Sequence, residues 1–201
     1  MVATRSKVLC MTELSLLTAI IFLMAFTPLG YLRVGAVEIT FIVVPVAVGA
    51  VLLGAKAGAF LGFAFGVTSF MQCFGMSAFG TLLFSAKPLA TAFCCIVPRV
   101  MVGLVPALLY QWLSRHVKRK SLATAVSCVL APITNTVLYL GCMVLFFQDY
   151  LSDAYGYTGR GGLFFLGWLL ALVAVNAVLE AASCLFVGTA ITETLQKTLN
   201  R

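Results

Sequence analysis

Charged side chains are scarce in this chain of 201 residues, of which only 9% are Asp, Glu, Lys or Arg. A soluble domain contains about 25% charged residues, so the composition excludes an ordinary soluble fold. Histidine occurs once, and the seven cysteines are scattered without the paired spacing of zinc ligands. We therefore expect no metal site and interpret the cysteines as small apolar residues of the interior.

The sequence also lacks the motifs of common catalytic and energy-coupling sites. It contains no Walker loop, no HExxH, no Gly-x-Ser-x-Gly and no pair of carboxylates placed for acid–base chemistry. No internal repeat or cluster of acids in broken helices indicates a secondary transporter. We expect a protein that is not an enzyme, holds no cofactor of its own and has no visible means of driving transport.

Apolar residues make up 62% of the chain, and its mean hydropathy is +1.10. A membrane-spanning helix needs about 20 apolar residues, and the chain holds six such stretches with short connections. The sequence therefore predicts an all-α integral membrane protein, a single domain (residues 1–201) formed by a bundle of six transmembrane helices. The predicted spans are residues 12–29, 38–53, 57–74, 88–113, 122–147 and 163–191.

The net charge of +7 follows from where the basic residues fall between these spans. Most lie in segments that the span order places on one side of the membrane, namely Arg5, Lys7, Lys56, Arg115, Lys118, Arg119, Lys120, Lys197 and Arg201. Arg33, Lys87 and Arg160 lie on the other side. Cytoplasmic loops carry such an excess, so we predict a protein of the cell membrane with both termini in the cytoplasm. The basic excess is thereby explained by topology and not by nucleic-acid binding. We interpret the first apolar run as a helix that is retained, not as a cleaved signal peptide.

Four glycines recur at every fourth position from just before the third predicted span into its first half, at Gly54, Gly58, Gly62 and Gly66. Residues four apart share a helix face, and a face without side chains lets another helix backbone approach closely. The stripe predicts tight helix packing.

Arg99 is the one charged residue between Pro88 and Ser114, a stretch long enough to cross a bilayer. A guanidinium near the membrane centre costs about 2.5–3.5 kcal/mol on insertion scales, so it is expected to face the bundle interior and meet an anion or polar partner. Arginine matches the two oxygens of a carboxylate better than other side chains do. The sequence therefore predicts a buried site for a small anionic ligand.

Other polar side chains lie at similar depth in neighbouring spans. The candidate substrate-binding residues are Arg99, Asn135, Tyr139, Asn176, Glu180 and Gln72. Asn135 and Tyr139 share one helix face because they are four residues apart, as do Asn176 and Glu180. Two alternatives stay open at this point: Glu180 could neutralise Arg99 in a structural ion pair, and Gln72 or Tyr139 could satisfy a backbone group.

Several segments in order resemble the substrate-binding S components of energy-coupling factor (ECF) vitamin transporters, most closely the pantothenate type. They are residues 39–70, with the inner turn LLGAKAGAFLGFAFG at 52–66, VPRVMVGLV at 97–105 and VNAVLEA at 175–181. The resemblance covers nearly the whole chain. Members of the family often have a polar residue shortly before the proline of span two, where this chain has Val43 and Val44 before Pro45.

The resemblance implies a mechanism. An S component captures a vitamin outside the cell and docks on a membrane-embedded coupling subunit with two ATPases, which use the ATP. Small residues four apart in span one serve that docking in the family, and Ser15 and Ala19 match them here. Pantothenate would place its carboxylate at Arg99. The alternatives are another vitamin such as folate or riboflavin, a stand-alone secondary transporter, or a membrane enzyme or structural subunit.

Overall fold

The computed structural model of the chain describes residues 2–28, 30–34, 37–117, 119–154 and 162–198. The described elements in chain order are α1 (Val2–Ala25), β1 (Tyr31–Val34), β2 (Val37–Thr40), α2 (Val43–Leu53), α3 (Ala55–Gln72), α4 (Ala78–Ala86), α5 (Pro88–His116), α6 (Lys120–Ala154), α7 (Gly162–Ser183), a π-helical turn (Cys184–Gly188) and α8 (Thr189–Thr198).

Four of these helical segments are long and apolar enough to cross a membrane. Within the described side chains they are Lys7–Ala25, Pro88–His116, Lys120–Tyr150 and Asn176–Thr198. Many of their large apolar side chains lie on the outside of the protein, such as Leu89 at 88% and Leu145 at 79% exposure. Large apolar surfaces of this kind need lipid or a partner to cover them, so the helices are those of a multi-pass membrane protein.

The connection between α1 and α2 differs from the prediction. Residues 38–40, expected at the start of the second span, belong to an antiparallel hairpin in which Tyr31 pairs with Thr40 and Val34 with Val37. The sequences YLRV and VEIT are rich in the β-branched and aromatic residues that favour strands. The fold is therefore helical, as predicted, with one small hairpin that includes the residues where the second span was expected to begin.

Two further differences concern helix lengths. Helix α2 has 11 residues, which span about 16 Å at 1.5 Å per residue, less than the hydrocarbon thickness of a bilayer. The segment expected as an outer loop before α5 contains the short helix α4, whose first turn is capped by the Ser77 hydroxyl accepting from Gly80 N.

Helix α2 forms the centre of the protein. Every residue from Val43 to Val51 is buried, which fits a segment that is apolar on all sides. Its valines pack in one core with Ile21 of α1, Phe65 of α3 and Val102 of α5. Gly54 joins α2 to α3 with φ 87°, a backbone conformation that favours glycine.

The glycine stripe of α3 packs tightly against another helix, as predicted, and the structure shows that this helix is α5. A Cβ built on Gly62 would collide with the Arg99 carbonyl, one on Gly58 with the Gly103 carbonyl, and one on Gly66 would lie 2.9 Å from the Ile96 Cα. Backbone therefore touches backbone along this seam, and the seam sets the position of Arg99.

Candidate functional site

Arg99 lies in the middle of α5, and a proline next to it explains one of its contacts. Pro98 has no N–H to donate to the carbonyl four residues earlier, so the Cys94 carbonyl loses its helical partner. Arg99 Nη1 donates to that same Cys94 oxygen at 2.9 Å. The guanidinium thus satisfies a carbonyl that its own helix has released, as is typical of prolines in membrane helices.

Two aromatic rings contact the guanidinium from neighbouring helices. The Arg99 Cζ lies 4.7 Å from the ring centroid of Tyr139 on α6 and 5.6 Å from that of Phe65 on α3. Each contact is a cation–π interaction, which contributes about 0.5–2 kcal/mol depending on desolvation. The Arg99 cation therefore lies over two aromatic rings, and a guanidinium is the side-chain group that best matches the two oxygens of a carboxylate.

Glu180 is the second ionisable group of this region and is only 1% exposed. Its Oε1 accepts a hydrogen bond from the Thr40 backbone N–H at 3.1 Å. Asn176, one turn earlier on α7, lies beside the same carboxyl, and the charge of Arg99 acts on it. The structure therefore places Arg99 and Asn176 close enough to interact with the Glu180 carboxyl. The end of β2 contacts the same carboxyl through Thr40.

Among the candidate residues, three buried oxygens have no hydrogen-bond partner within the described part of the chain. They are Asn135 Oδ1, Asn176 Oδ1 and Glu180 Oε2. A buried acceptor without a partner costs about 1–3 kcal/mol, so such atoms indicate a place where water or a ligand with O–H or N–H groups binds. Asn135 stands one turn before Tyr139 on α6.

Gln72 has a different environment from the other candidates. It is 2% exposed, and its Nε2 donates to the Ala25 carbonyl at 2.5 Å. Ala25 is the last residue of α1, and the last carbonyls of a helix have no donor within that helix. Gln72 thus connects the end of α3 to the end of α1, in line with the alternative that it satisfies a backbone group.

Comparison with known proteins supplies the family. The family model described as "ECF transporter, substrate-specific component" matches residues 10–191.

The chain belongs to this family.

Two curated relatives agree with this assignment. The chain is 31% identical over 181 residues to the "Pantothenate transporter PanT" of Leuconostoc mesenteroides subsp. mesenteroides, which covers 86% of this chain and 85% of that protein. It is 30% identical over 173 residues to the "Pantothenic acid transporter PanT" of Lactococcus lactis subsp. cremoris, covering 82% of this chain and 81% of that one. The resemblance to S components of the pantothenate type is thus confirmed. These relatives are transporters, in keeping with a chain that is not an enzyme.

The small residues of α1 that the family resemblance singled out lie on the surface of this S component. Ser15 and Ala19 are both exposed, and the large side chains of Leu16 and Phe22 on either side are 61% and 39% exposed. Ser15 and Ala19 therefore form a shallow strip between bulkier apolar side chains, which leaves room for another helix to approach.

Two contacts of the polar site, the group formed by Arg99, Asn176 and Glu180, were not predicted from the sequence. Phe65 is one of several phenylalanines in α3, and its residue type alone does not distinguish it from the others. Its position three residues after Gly62 does place it on the helix face that packs against α5. Thr40 acts through its backbone N–H, which carries no sequence signal.

No group of His, Cys, Asp and Glu within the described part of the chain is arranged to hold a metal ion.

Proposed function

We propose that this S component binds pantothenate from outside the cell and delivers it to the cytoplasm as the capture subunit of an ECF-type importer. The family assignment and the printed names of two relatives support this function. The observation that carries the ligand assignment is Arg99, a cation at mid-helix contacted by the Tyr139 and Phe65 rings.

The chemistry of pantothenate suits the polar groups of the site. Its carboxylate matches the guanidinium of Arg99, and a charge-assisted pair of this kind is among the strongest hydrogen bonds in proteins. Its two hydroxyls and one amide N–H are donors, and Asn135 Oδ1, Asn176 Oδ1 and Glu180 Oε2 are acceptors that have no donor among the described residues. A neutral or cationic ligand would not form this charge-assisted pair with Arg99.

Delivery requires partners, because the chain shows no nucleotide-binding motif. In the proposed importer, a coupling subunit in the membrane receives the loaded S component and two ATPase subunits hydrolyse ATP. The exposed Ser15–Ala19 strip of α1 is the proposed contact with the coupling subunit. Six spans, cytoplasmic termini and a location in the bacterial plasma membrane complete the proposal.

Ligand capture is tested by titrating the purified S component in lipid nanodiscs with pantothenate, folate and riboflavin by calorimetry. We expect tight one-to-one binding of pantothenate alone. The Arg99→Ala variant should bind at least about thirtyfold more weakly, because loss of a buried charged partner costs about 2–5 kcal/mol. Arg115→Ala removes an exposed arginine of the same helix and serves as the matched control. Tight binding of folate or riboflavin in place of pantothenate would show that the assigned vitamin is wrong.

Delivery is tested separately in liposomes. The S component alone should not accumulate labelled pantothenate under a proton or sodium gradient, whereas co-reconstitution with a coupling subunit and two ATPases should produce ATP-dependent uptake. Uptake by the chain alone would favour the stand-alone secondary transporter. Vitamin binding that is unchanged in Arg99→Ala would instead support the internal Arg99–Glu180 ion pair.

A further inference from the structure

Two cysteines face each other across the seam between α3 and α5. The Cys73 Sγ lies 3.8 Å from the Cys95 Sγ, and the residues are 4% and 6% exposed. Cys73 directly follows the last residue of α3, and Cys95 lies about one turn before Arg99 on α5. Sulfur atoms in a disulfide are about 2.05 Å apart, so a shift of less than 2 Å would join these two.

The two sides of this pair differ in how firmly the backbone is held. On the α5 side, a Cβ on Gly66 would lie 3.1 Å from the Cys95 carbonyl, so α3 holds this part of α5 in direct contact. On the α3 side, Cys73 is the cap residue and is followed by Phe74, Gly75 and Met76, all exposed. Cys73 is buried and its Sγ donates to the Ser69 carbonyl at 3.5 Å. Because helix ends and exposed turns open locally at low cost, Cys73 is the partner that such opening would expose.

We propose that Cys73 and Cys95 are a reversible oxidation site. The overall reaction with a small external disulfide is balanced: the two thiols form one Cys73–Cys95 disulfide, and the external disulfide is released as two thiols. Cys73 attacks the external disulfide first and releases one external thiol, and Cys95 then attacks the Cys73 sulfur of the mixed disulfide and displaces the second external thiol. In the proposed topology this end of α3 faces the outside of the cell, where disulfides persist.

The neighbours of the two cysteines connect this site to the polar site. Cys95 follows Cys94, whose carbonyl accepts from Arg99 Nη1. Cys73 follows Gln72, whose side chain holds the end of α1 through the Ala25 carbonyl. A disulfide would therefore shift the end of α3 relative to the turn of α5 that positions Arg99. The effect on vitamin binding rests on the proposed function, whereas the oxidation itself does not.

The oxidation is tested on the full chain in nanodiscs, treated with 2-hydroxyethyl disulfide and then analysed by intact mass and peptide mapping. We expect loss of two hydrogens, a mapped Cys73–Cys95 link, and full reversal by dithiothreitol. Cys73→Ser and Cys95→Ser should each abolish the link, whereas Cys184→Ser, which removes another buried thiol, should not. Because Cys94 and Cys142 form a second neighbouring pair, a link mapped there, or no link at all, would overturn the proposal.

The consequence for the vitamin is measured by pantothenate titration of the reduced and oxidised chain. We expect the oxidised chain to bind about tenfold more weakly or worse, since displacements of about 1 Å are enough to spoil a polar binding arrangement. The Cys73→Ser variant should show equal affinity with and without oxidant. Equal pantothenate affinity of the reduced and the oxidised wild-type chain would contradict the proposed effect of the disulfide on vitamin binding. Failure of the reduced chain to bind pantothenate would end the proposed function and leave the mapped disulfide standing.

Discussion

The Thr40 backbone N–H donates to Glu180 Oε1 at 3.1 Å, and this bond joins the end of the β-hairpin to α7 across 140 positions of sequence. The carboxyl that receives it is 1% exposed, and its other oxygen lacks a donor among the described residues. One oxygen of Glu180 therefore holds the hairpin, and the other is the oxygen proposed to accept a hydrogen bond from the vitamin.

This arrangement separates two substitutions of Glu180. Glu180→Gln keeps an oxygen that accepts from Thr40 N, so the hairpin should stay in place. Glu180→Ala leaves a buried N–H without its partner, which costs about 1–3 kcal/mol. We expect hydrogen exchange at residues 37–42 to rise by about tenfold or more in the alanine variant and to change little in the glutamine variant. Equal exchange in both variants would contradict the role of the Thr40–Glu180 bond.

Adding a single methyl group at Gly62 should lower both the stability of the protein and its affinity for pantothenate. A methyl group at Gly62 collides with the Arg99 carbonyl, whereas one at Gly141 on α6 meets nothing within 4 Å. Gly62→Ala should therefore lower both the melting temperature and the affinity for pantothenate, because overpacking costs about 1–3 kcal/mol. Gly141→Ala is the control and should be neutral or slightly stabilising. Thermal unfolding and titration of both variants check this, and a Gly62→Ala protein that behaves like Gly141→Ala would refute the tight seam.

Tyr139 should act through its ring and not through its hydroxyl. Tyr139→Phe retains the ring that contacts the Arg99 guanidinium at 4.7 Å, so pantothenate affinity should stay within about threefold. Tyr139→Leu removes the cation–π contact, which is worth about 0.5–2 kcal/mol, and should weaken binding by up to about thirtyfold. If the phenylalanine variant loses as much affinity as the leucine variant, the hydroxyl itself contacts the ligand.

Gln72 should matter for stability and not for the vitamin. Gln72→Leu removes the donor to the Ala25 carbonyl and leaves that carbonyl without its side-chain partner at the end of α1. We expect a lower melting temperature, corresponding to about 1–3 kcal/mol, with pantothenate affinity within about threefold of wild type. A large loss of pantothenate affinity in a Gln72→Leu variant of normal stability would indicate that Gln72 contacts the vitamin.

The α1 strip should affect delivery without affecting capture. Ala19→Phe fills the exposed strip between bulkier side chains and should block ATP-dependent uptake in the reconstituted importer while leaving pantothenate affinity unchanged. Val178→Phe enlarges a side chain that is 66% exposed on α7 and serves as the control. Normal uptake by Ala19→Phe would place the coupling-subunit contact elsewhere.

Helix positions and the tight seam could be predicted because they depend on local pattern. Apolar runs indicated the long helices, and glycines four apart indicated close packing against another helix, which the structure identifies as α5. The β-hairpin was missed because apolarity over residues 38–53 does not distinguish a short strand followed by a buried helix from one long span. The length of α2 is set by its tertiary surroundings, since it is buried throughout Val43–Val51.

The polar site could be predicted in part for a similar reason. A lone arginine in an apolar helix and polar residues four apart identify a site, because a charge in the membrane interior needs a partner. The contacts that define its geometry arise between distant segments. Phe65 meets Arg99 through the packing of α3 on α5, and Thr40 meets Glu180 through its backbone. Neither contact is visible in the order of residues.

The most direct test of the account compares pantothenate with its neutral alcohol analogue, in which a hydroxymethyl group replaces the carboxylate, on wild-type protein and on Arg99→Ala. If Arg99 binds the carboxylate, the wild type should prefer pantothenate by about thirtyfold or more, and the variant should bind both compounds equally weakly. A wild-type protein that binds the alcohol as tightly as the acid, or a variant that still discriminates between them, would contradict the account.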